Sequence, residues 1–206
     1  MPGEWSGTAA VYEASFGRLC AGSVDAVLDA VLRILKRDGT AAVTTNRIAE
    51  VAGVSIGSLY QYFPDKRAIF HALHRRHIEQ VDQLIERTLV AHASSALEEL
   101  VKALMEAMIE MHEGAPELYQ ALMAEVPHDS GGKQAFAVRL HGVFLLSIAA
   151  RAHQLKKHHD PVKTALIVAH MVDALSHGVV LGRPQGLSRS DLKKEAVRAV
   201  LAYLRS

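Results

Sequence analysis

Apolar positions along the chain recur at intervals of three and four residues, the spacing of a helix face. From about Ser94 onward no stretch shows the alternation that is typical of a strand. The first clear helix is predicted to begin at Ser23 and to be closed by Gly39, with its apolar face at Val24, Val27, Val31 and Ile34 or Leu35. The pattern predicts an all-α protein of about nine helices.

Residues 44 to 66 predict two short helices joined by a tight turn. Thr44 and Thr45 supply hydroxyls that can cap the first helix, and Gly53 allows the chain to reverse after it. Ser55 can cap the second helix, whose inward stripe is predicted as Ile56, Leu59 and Phe63. The outer face of that helix is polar, small or phenolic and carries no acidic residue. These features are typical of a helix-turn-helix that enters the DNA major groove.

The run IAEVAGVSIGSLYQYFPDK within this stretch is similar to the DNA-binding signature of the TetR family of transcriptional regulators, and the resemblance covers about residues 24 to 75. It implies an N-terminal three-helix helix-turn-helix domain followed by a C-terminal helical ligand-binding and dimerisation domain. It also implies that a homodimer binds a palindromic operator in double-stranded DNA.

The resemblance further implies which residues contact DNA. The positions that match family contacts, mostly to phosphates, are Thr45, Asn46, Ser58, Tyr60, Tyr62 and Lys66, with Ser55 at the start of the second helix. Ile56 and Gln61 are the expected base contacts. Gly57 stands where a bulkier side chain could sit, so fewer base contacts are expected at that point. Lys66 lies at the N-terminus of the next helix, where N–H groups can bind phosphate.

The distribution of charge along the chain agrees with DNA binding better than the net charge does. The formal net charge of the 206 residues is only +1. Residues 44 to 77, however, contain five basic residues against two acidic ones, whereas residues 98 to 129 contain eight acidic residues and a single lysine. A basic end and an acidic middle suit a protein that faces phosphate with one end only.

The domain organisation predicted from these patterns has three parts. Residues 1–22 are expected to form an N-terminal arm, residues 23–81 the helix-turn-helix DNA-binding domain, and residues 82–206 a helical regulatory and dimerisation domain. The single Cys20 excludes an intramolecular disulfide framework. No basic signal segment is visible, and the apolar stretch from Ala165 to Gly182 contains two histidines and an aspartate. We therefore expect a cytoplasmic protein with no membrane partner.

The sequence also predicts approximate bounds for four of the helices that follow the helix-turn-helix. One is predicted from Asp65 into the low 90s. A long helix is predicted from about Lys133 to Lys157, and its centre, GVFLLSIAA, is apolar all round and is expected to be buried on most sides. The next is predicted to begin at Asp160 and Pro161, and the last at Ser190.

The last two helices carry stripes that predict self-association. Exposed apolar stripes on two terminal helices can complete a four-helix bundle by meeting their copies, and the resemblance implies the same interface. The predicted interface residues are Ala165, Ala169, Val172, Ser176, Ala196, Val200 and Tyr203.

A small apolar or amphipathic effector is the expected ligand of the C-terminal domain. Flexible thioethers with a few rings and polar groups could line an adaptable pocket, and ordinary core filling explains the same residues. The candidates are Met105, Met108, Met123, Phe136, His141, Phe144 and His170. The pocket itself is implied by the resemblance.

Neither a metal site, a cofactor site nor an enzyme active site is indicated by the sequence. The twelve histidines show no HExxH or Cys/His finger spacing, and the spaced His71, His74 and His77 are expected to be solvated or capping. No GxSxG or similar catalytic arrangement is visible. Two hypotheses remain. One is a ligand-responsive repressor, and the other is a helix-turn-helix dimer without a small-molecule ligand, regulated by a protein partner or not at all.

Overall fold

The structure, a computed structural model, describes residues 18–126, 131–156, 159–181 and 188–206. In the helix that begins at residue 18 the side chains are described from residue 23, and in the helix that begins at residue 131 they are described from residue 138. Every regular element in these ranges is a helix, which confirms the all-α prediction. The nine α-helices of the described chain are α1 (Arg18–Asp38), α2 (Thr45–Ala52), α3 (Ile56–Tyr62), α4 (Lys66–Ala91), α5 (Leu97–Gly114), α6 (Pro116–Glu125), α7 (Gly131–Ala149), α8 (Pro161–Leu181) and α9 (Arg189–Arg205). Short 3₁₀ turns occupy Thr40–Ala42 and Ala152–Gln154.

The chain divides into two compact units inside α4, and Leu73 is the last residue of the first unit. The sequence placed this boundary eight residues later, at residue 81. In the first unit, α1 packs against α2 and α2 against α3 around fully buried aliphatic side chains. The core positions include Val31, Ile34, Ile48, Leu59 and Ile69.

The second unit is built around α8, which packs against α5, α7 and α9. Its core is one cluster of buried side chains that includes Met105, Ile109, Phe144, Val168 and Val200. Ion pairs at the surface join neighbouring helices of this unit. Lys193 of α9 lies 2.9 Å from Glu110 of α5, and Arg139 of α7 lies 2.6 Å from Asp82 of α4.

Arg151 ties the end of α4 to the end of α7. Its guanidinium donates to the backbone carbonyls of His92, Ala93 and Ser95, at 3.1, 2.8 and 3.0 Å, and to that of Ser147 at 3.2 Å. These carbonyls belong to the α4–α5 connection and to the last turn of α7, where helix geometry leaves acceptors without intrahelical partners. One planar cation therefore satisfies four acceptors and fixes the connection.

Three predicted helix bounds differ from the structure. α1 begins at Arg18, five residues before Ser23, so the end of the predicted arm is helical; residues 1–17 lie outside the described residues. α7 ends at Ala149 and not near Lys157, because Ala150 and Arg151 turn the chain into the short 3₁₀ segment. α9 begins at Arg189, where the Ser188 hydroxyl accepts from the Asp191 N–H at 3.1 Å, so Ser188 and not Ser190 opens it.

The apolar stripes that were predicted to be exposed on α8 and α9 face the interior of the single chain. Ala165, Ala169, Val172, Ser176, Ala196 and Val200 are all buried, and Tyr203 is half-buried. The prediction of exposure is wrong because small residues on α8 allow its neighbours in the same chain to approach closely.

The exposed apolar rows lie elsewhere on α7 and α8. On α7 they include Leu145 and Leu146, the latter 74% exposed, and Ala149 is exposed as well, so the expectation that GVFLLSIAA is buried on most sides is wrong. On α8 they include Val162, Leu166 and Ile167, with exposed fractions of 61%, 45% and 43%.

One described helix, α8, is long and apolar enough by length and composition to cross a membrane. Of its most apolar window, 44% is buried against the rest of the chain. A helix at the centre of a helical core passes the same test.

Candidate functional site

The helix-turn-helix is positioned by caps that the sequence encodes locally. The Thr44 hydroxyl accepts from the Arg47 N–H at 3.2 Å and starts α2. Gly53 ends α2 with φ of 71°, in the left-handed region where a glycine has no steric penalty. Ser55 then starts α3 by accepting from the Ser58 N–H at 3.0 Å. All three predicted turn and cap residues are confirmed.

α3 buries one side and exposes the other. Leu59 is fully buried and Phe63 is 5% exposed, as expected of an inward stripe. Ile56, which was assigned to the same stripe, is 39% exposed. The assignment is wrong because Ile56 is the first residue of α3, where no preceding turn covers it. Its exposure suits the second role expected for it, that of an apolar base contact.

The nine predicted DNA-contact residues are all exposed or half-buried, so none is withdrawn into the core. The hydroxyls of Thr45 and Tyr60 lie 3.3 Å apart and join the first turn of α2 to the outer face of α3. Tyr60 is 50% exposed. Gly57 is also exposed, and a Cβ added there would meet nothing nearer than the Ser55 hydroxyl at 3.8 Å.

The start of α4, which follows the helix-turn-helix directly in the chain, carries the positive charge of Lys66. The Asp65 carboxylate caps the helix by accepting from the Ala68 N–H at 2.8 Å, as predicted. The Lys66 ammonium lies 5.3 Å from the centre of the Phe70 ring, within the range of a cation–π contact. By contrast, Arg47 is paired with Glu50 at 2.7 Å and lies 3.9 Å from Asp38, so its charge is largely compensated within the chain.

A partly open cavity of about 220 Å³ lies within the second unit. Helices α4 to α8 all contribute to its wall. The apolar part of the wall includes Val81, Met108, Leu122 and Leu140. Its polar part consists of six histidines, one tyrosine and one aspartate, namely His74, His77, His112, His141, His170, His177, Tyr119 and Asp173.

The rings on the cavity wall form two groups. In the first group the ring centres of His112 and Tyr119 are 4.6 Å apart, and those of Tyr119 and His177 are also 4.6 Å apart. His77 joins this group at 5.6 Å from His112. The second group is the pair His141 and His170, at 4.6 Å. These distances are typical of packed aromatic pairs.

Burial controls the protonation of the first group. Burial, with a smaller contribution from His74 and His177, lowers the pKa of His77 to about 4. Burial, with His177 and His77, lowers the pKa of His112 to about 3. Both imidazoles are therefore neutral at pH 7. Burial also raises the pKa of Tyr119, helped by the negative charge of Asp173, so its hydroxyl keeps its proton.

Two polar atoms of the first group are buried without a hydrogen-bond partner among the described residues. They are the Tyr119 hydroxyl and Nδ1 of His112, on side chains that are 3% and 2% exposed. The prediction that the spaced histidines are solvated is wrong for His74 and His77, which are buried, and holds for His71, which is exposed. Within the described ranges, no three His, Cys, Asp or Glu side chains are placed to hold a metal ion.

Two family models match this chain, one over each part of it. Residues 27–73 match the family described as bacterial regulatory proteins, tetR family. Residues 96–204, more than half of the chain, match the tetracyclin repressor-like C-terminal domain. The chain belongs to the TetR family. It is a DNA-binding transcriptional regulator with an N-terminal helix-turn-helix and a C-terminal helical domain.

Similarity to curated proteins is confined to part of their length. The nucleoid occlusion factor SlmA of Actinobacillus pleuropneumoniae serotype 5b is 37% identical over 87 residues, which is 41% of each chain. The HTH-type transcriptional repressor KstR of Mycolicibacterium smegmatis is 37% identical over 65 residues, which is 32% of each chain. The chain thus spans less than half the length of these curated relatives.

Solved structures of TetR-type regulators share the fold along most of the chain. The fatty acid degradation regulator FadR of Bacillus halodurans has a TM-score of 0.67 at 16% identity, covering 89% of this chain and 96% of its own. FadR of Thermus thermophilus, solved in complex with lauroyl-CoA, has a TM-score of 0.61 at 17% identity, covering 86% of this chain and 93% of its own. At these identities the likeness shows the fold alone.

In this TetR-family chain, the predicted effector residues fall into two sets. Met108, Met123, His141 and His170 line the cavity. Met105 and Phe144 are buried in the packed core and are not among the lining residues, and the side chain of Phe136 lies outside the described ones. The sequence did not single out His112, His177 or Tyr119, because these residues meet only in the folded chain.

Proposed function

We propose that this protein is a homodimeric repressor that binds a palindromic operator through α3 and is released when a small molecule enters the cavity of the second unit. The observation that carries the proposal is the pairing of a capped helix-turn-helix with a ligand-sized cavity in one chain. A regulator of this kind acts where the chromosome is, so we expect it in the cytoplasm.

DNA contact is proposed through two parts of the first unit. The outer face of α3 presents Ile56, Tyr60 and Gln61 to the major groove, where an apolar side chain can meet a thymine methyl and an amide can pair with adenine. The N-termini of α2 and α4 offer N–H groups, with Thr45 and Lys66 beside them, to the flanking phosphates. The outer face of α3 carries no carboxylate, so the DNA phosphates do not repel it.

The homodimer is proposed to form through the exposed rows of α7 and α8 rather than through the buried stripe. These two helices pack against each other, and each leaves large apolar side chains outside. Gly142 and Gly178, which have nothing within 4 Å of an added Cβ, also allow a second helix to come close. Two α7–α8 pairs can then complete a four-helix bundle, which hides a surface that a monomer would expose to water.

What two similar proteins are named, and what one of them was solved with, supports repression and release by a ligand. KstR is named a transcriptional repressor, and FadR of Thermus thermophilus was solved with lauroyl-CoA. In the present chain, α4 contributes cavity residues from His74 to Val81 and continues N-terminally to Lys66. A ligand that prefers one placement of α4 shifts the population of DNA-competent dimers. A ~100-fold loss of DNA affinity requires about 2.7 kcal/mol of preference.

The alternative is a dimer regulated by a protein partner. Similarity to SlmA, a nucleoid occlusion factor, over 87 residues favours it. The cavity favours the ligand-responsive function, because a chain regulated only by proteins does not need a hollow lined by polar rings. If a small compound releases the operator and leaves the dimer intact, regulation by a small-molecule ligand is favoured over regulation by a protein partner.

The proposed DNA contacts are tested by measuring operator binding with fluorescence anisotropy at several salt concentrations. The operator is first obtained by selection from random DNA. Lys66→Ala should weaken binding to all sequences alike and reduce the salt slope by about one unit, because one phosphate contact is lost. Gln61→Ala should change sequence preference and leave the salt slope alone. Lys102→Ala, which removes the same charge from α5, is the control and should change neither property. A Lys66→Ala variant with altered preference and an unchanged slope would show that the contacts are assigned wrongly.

A further inference from the structure

The cavity wall combines features that specify more than an apolar ligand. Tyr119 and His112 are almost completely buried, yet the hydroxyl of one and Nδ1 of the other have no hydrogen-bond partner among the described residues. Both residues line the cavity. A buried polar group without a partner costs about 1–3 kcal/mol, so a ligand that supplies the partner recovers that cost on binding.

The size of the cavity limits the ligand to about one ring. An apolar cavity of about 150 Å³ is known to hold benzene, and the present cavity encloses about 220 Å³. The difference is enough for one or two small substituents. A lauroyl-CoA molecule is far larger than this space.

Burial of the wall around His77, His112 and Tyr119 penalises a charge of either sign, and the Asp173 carboxylate on the same wall offsets that penalty only for a cation. The same burial that lowers the pKa of His77 and His112 would penalise a cationic ligand placed against them. The burial that raises the pKa of Tyr119, together with the Asp173 carboxylate, would penalise an anionic one. Among the described lining residues there is no lysine or arginine to compensate an anion. A neutral molecule meets neither penalty.

We infer that the cavity binds an uncharged, single-ring compound that carries a hydroxyl group, such as an alkylphenol, with that hydroxyl against Tyr119 and His112. A hydroxyl both donates and accepts, so it can accept from the Tyr119 hydroxyl or donate to an unprotonated Nδ1 of His112. The ring of the ligand packs against the rings of this group and against Met108. The inference rests on the proposed ligand-responsive function and names the class of its effector.

The test is a thermodynamic cycle on the full chain, with dissociation constants from calorimetry. The ligands are 4-ethylphenol and ethylbenzene, which differ by one hydroxyl, and the proteins are the wild type and Tyr119→Phe. The wild type should bind 4-ethylphenol more tightly, and Tyr119→Phe should reduce its preference for 4-ethylphenol over ethylbenzene roughly ten-fold. Tyr203→Phe is the matched control, since Tyr203 lies on α9 against His159 and is not a lining residue; it should keep the wild-type preference.

Thermal unfolding without ligand separates a binding role from a structural one. Tyr119→Phe should unfold at a temperature no lower than the wild type, because its hydroxyl has no partner to lose. If Tyr119→Phe proves unstable, His112→Phe gives a second cycle with the same expected loss of preference. As a direct readout, 4-ethylphenol should shift the ring ¹⁵N resonances of His112 in the wild type.

Three results would overturn the inference. They are equal binding of ethylbenzene and 4-ethylphenol by the wild type, tighter binding of 4-ethylbenzoate or 4-ethylbenzylammonium, and no binding of 4-ethylphenol up to its solubility limit. The proposed function is judged separately by operator release. If lauroyl-CoA or ethylbenzene releases the operator and 4-ethylphenol does not bind, the repressor proposal stands and the inference fails. If 4-ethylphenol binds in a Tyr119-dependent way but no compound releases the operator, the inference stands and the release mechanism fails.

Discussion

Acidification should destabilise the fold through its buried neutral histidines. An ordinary histidine, as in the unfolded chain, has a pKa of about 6.5. Burial holds the folded-state pKa of His77 at about 4 and that of His112 at about 3. Below pH 6.5 the unfolded chain therefore binds protons that the folded chain does not. The stabilisation from these residues is complete above pH 6.5 and falls as the pH drops towards the folded values.

The magnitude follows from the two pairs of pKa values. Between pH 7.5 and pH 5, linkage removes about 2 kcal/mol of unfolding free energy for each residue, or about 4 kcal/mol for His77 and His112 together. Burial also lowers the pKa of His141, with His170 adding to the shift, so His141 acts in the same direction. The carboxyls of Asp38 and Glu98, whose pKa values their arginine partners lower, remain ionised throughout this window.

The assay is urea unfolding followed by circular dichroism at one protein concentration, at several pH values from 7.5 to 5. His112→Phe should lose about half of the pH-dependent destabilisation, because one of the two deeply buried imidazoles is gone. The larger phenylalanine ring can be accommodated because His112 lines the cavity. His71→Phe removes an exposed histidine from α4 and should keep the full wild-type dependence. A wild-type stability that does not change between pH 7.5 and 5, or an unaltered pH dependence in His112→Phe, would show that these buried histidines do not cause the acid destabilisation.

Three further predictions concern other parts of the fold. Leu166→Glu should convert the dimer to a monomer in light scattering, because it puts unpaired charge into the proposed interface. Lys102→Glu, at an exposed position on α5 outside the α7 and α8 rows, should remain a dimer. A dimeric Leu166→Glu would place the interface elsewhere. Arg151→Met should lower the unfolding free energy by about 3 kcal/mol in urea titration, because the carbonyls of Ala93, Ser95 and Ser147 lose their donor and that of His92 keeps only the Ser95 N–H. The exposed Arg87→Met should change it by less than about 0.5 kcal/mol, and equal effects would show that the Arg151 contacts contribute nothing. Gly57→Ala should raise the unfolding free energy by about 0.5–1 kcal/mol because there is room for its Cβ, and a loss of stability would contradict the exposure of that position.

The elements that could be predicted from the sequence are those whose causes are local. Thr44, Ser55 and Asp65 each cap a helix by accepting from an N–H three residues later, and Gly53 takes the left-handed conformation that its position requires. Because both partners of such a contact are close in sequence, the pattern alone identifies them. The signature of the first unit is made largely of contacts of this kind.

The faces of α7 and α8 could not be assigned because these helices are apolar on more than one side. α8 offers a small-residue stripe that contains Ala169 and a row of larger side chains that contains Leu166, and hydrophobicity does not say which faces inward. The structure buries the small residues, since close packing of helices needs little side-chain volume between them. The larger side chains remain outside, where a second copy can cover them.

The histidine group on the cavity wall was missed for a different reason. His77, His112 and His177 come from α4, α5 and α8, and nothing in their spacing along the chain relates them. Only packing brings the ring of His112 to 5.6 Å from that of His77 and to 4.8 Å from that of His177. The one available signal was the number of histidines, and it pointed to solvated side chains more readily than to a buried cluster.

Operator binding by a dimer is tested most directly by selection of the bound DNA from a random duplex pool, followed by measurement of how many chains bind one selected site. We predict one enriched inverted repeat, bound by an even number of chains, whose enrichment is lost when Gln61 and Tyr60 on the outer face of α3 are replaced by alanine. Enrichment of no sequence, or of a site without two-fold symmetry that a single chain binds and that the α3 replacements leave unchanged, would contradict it.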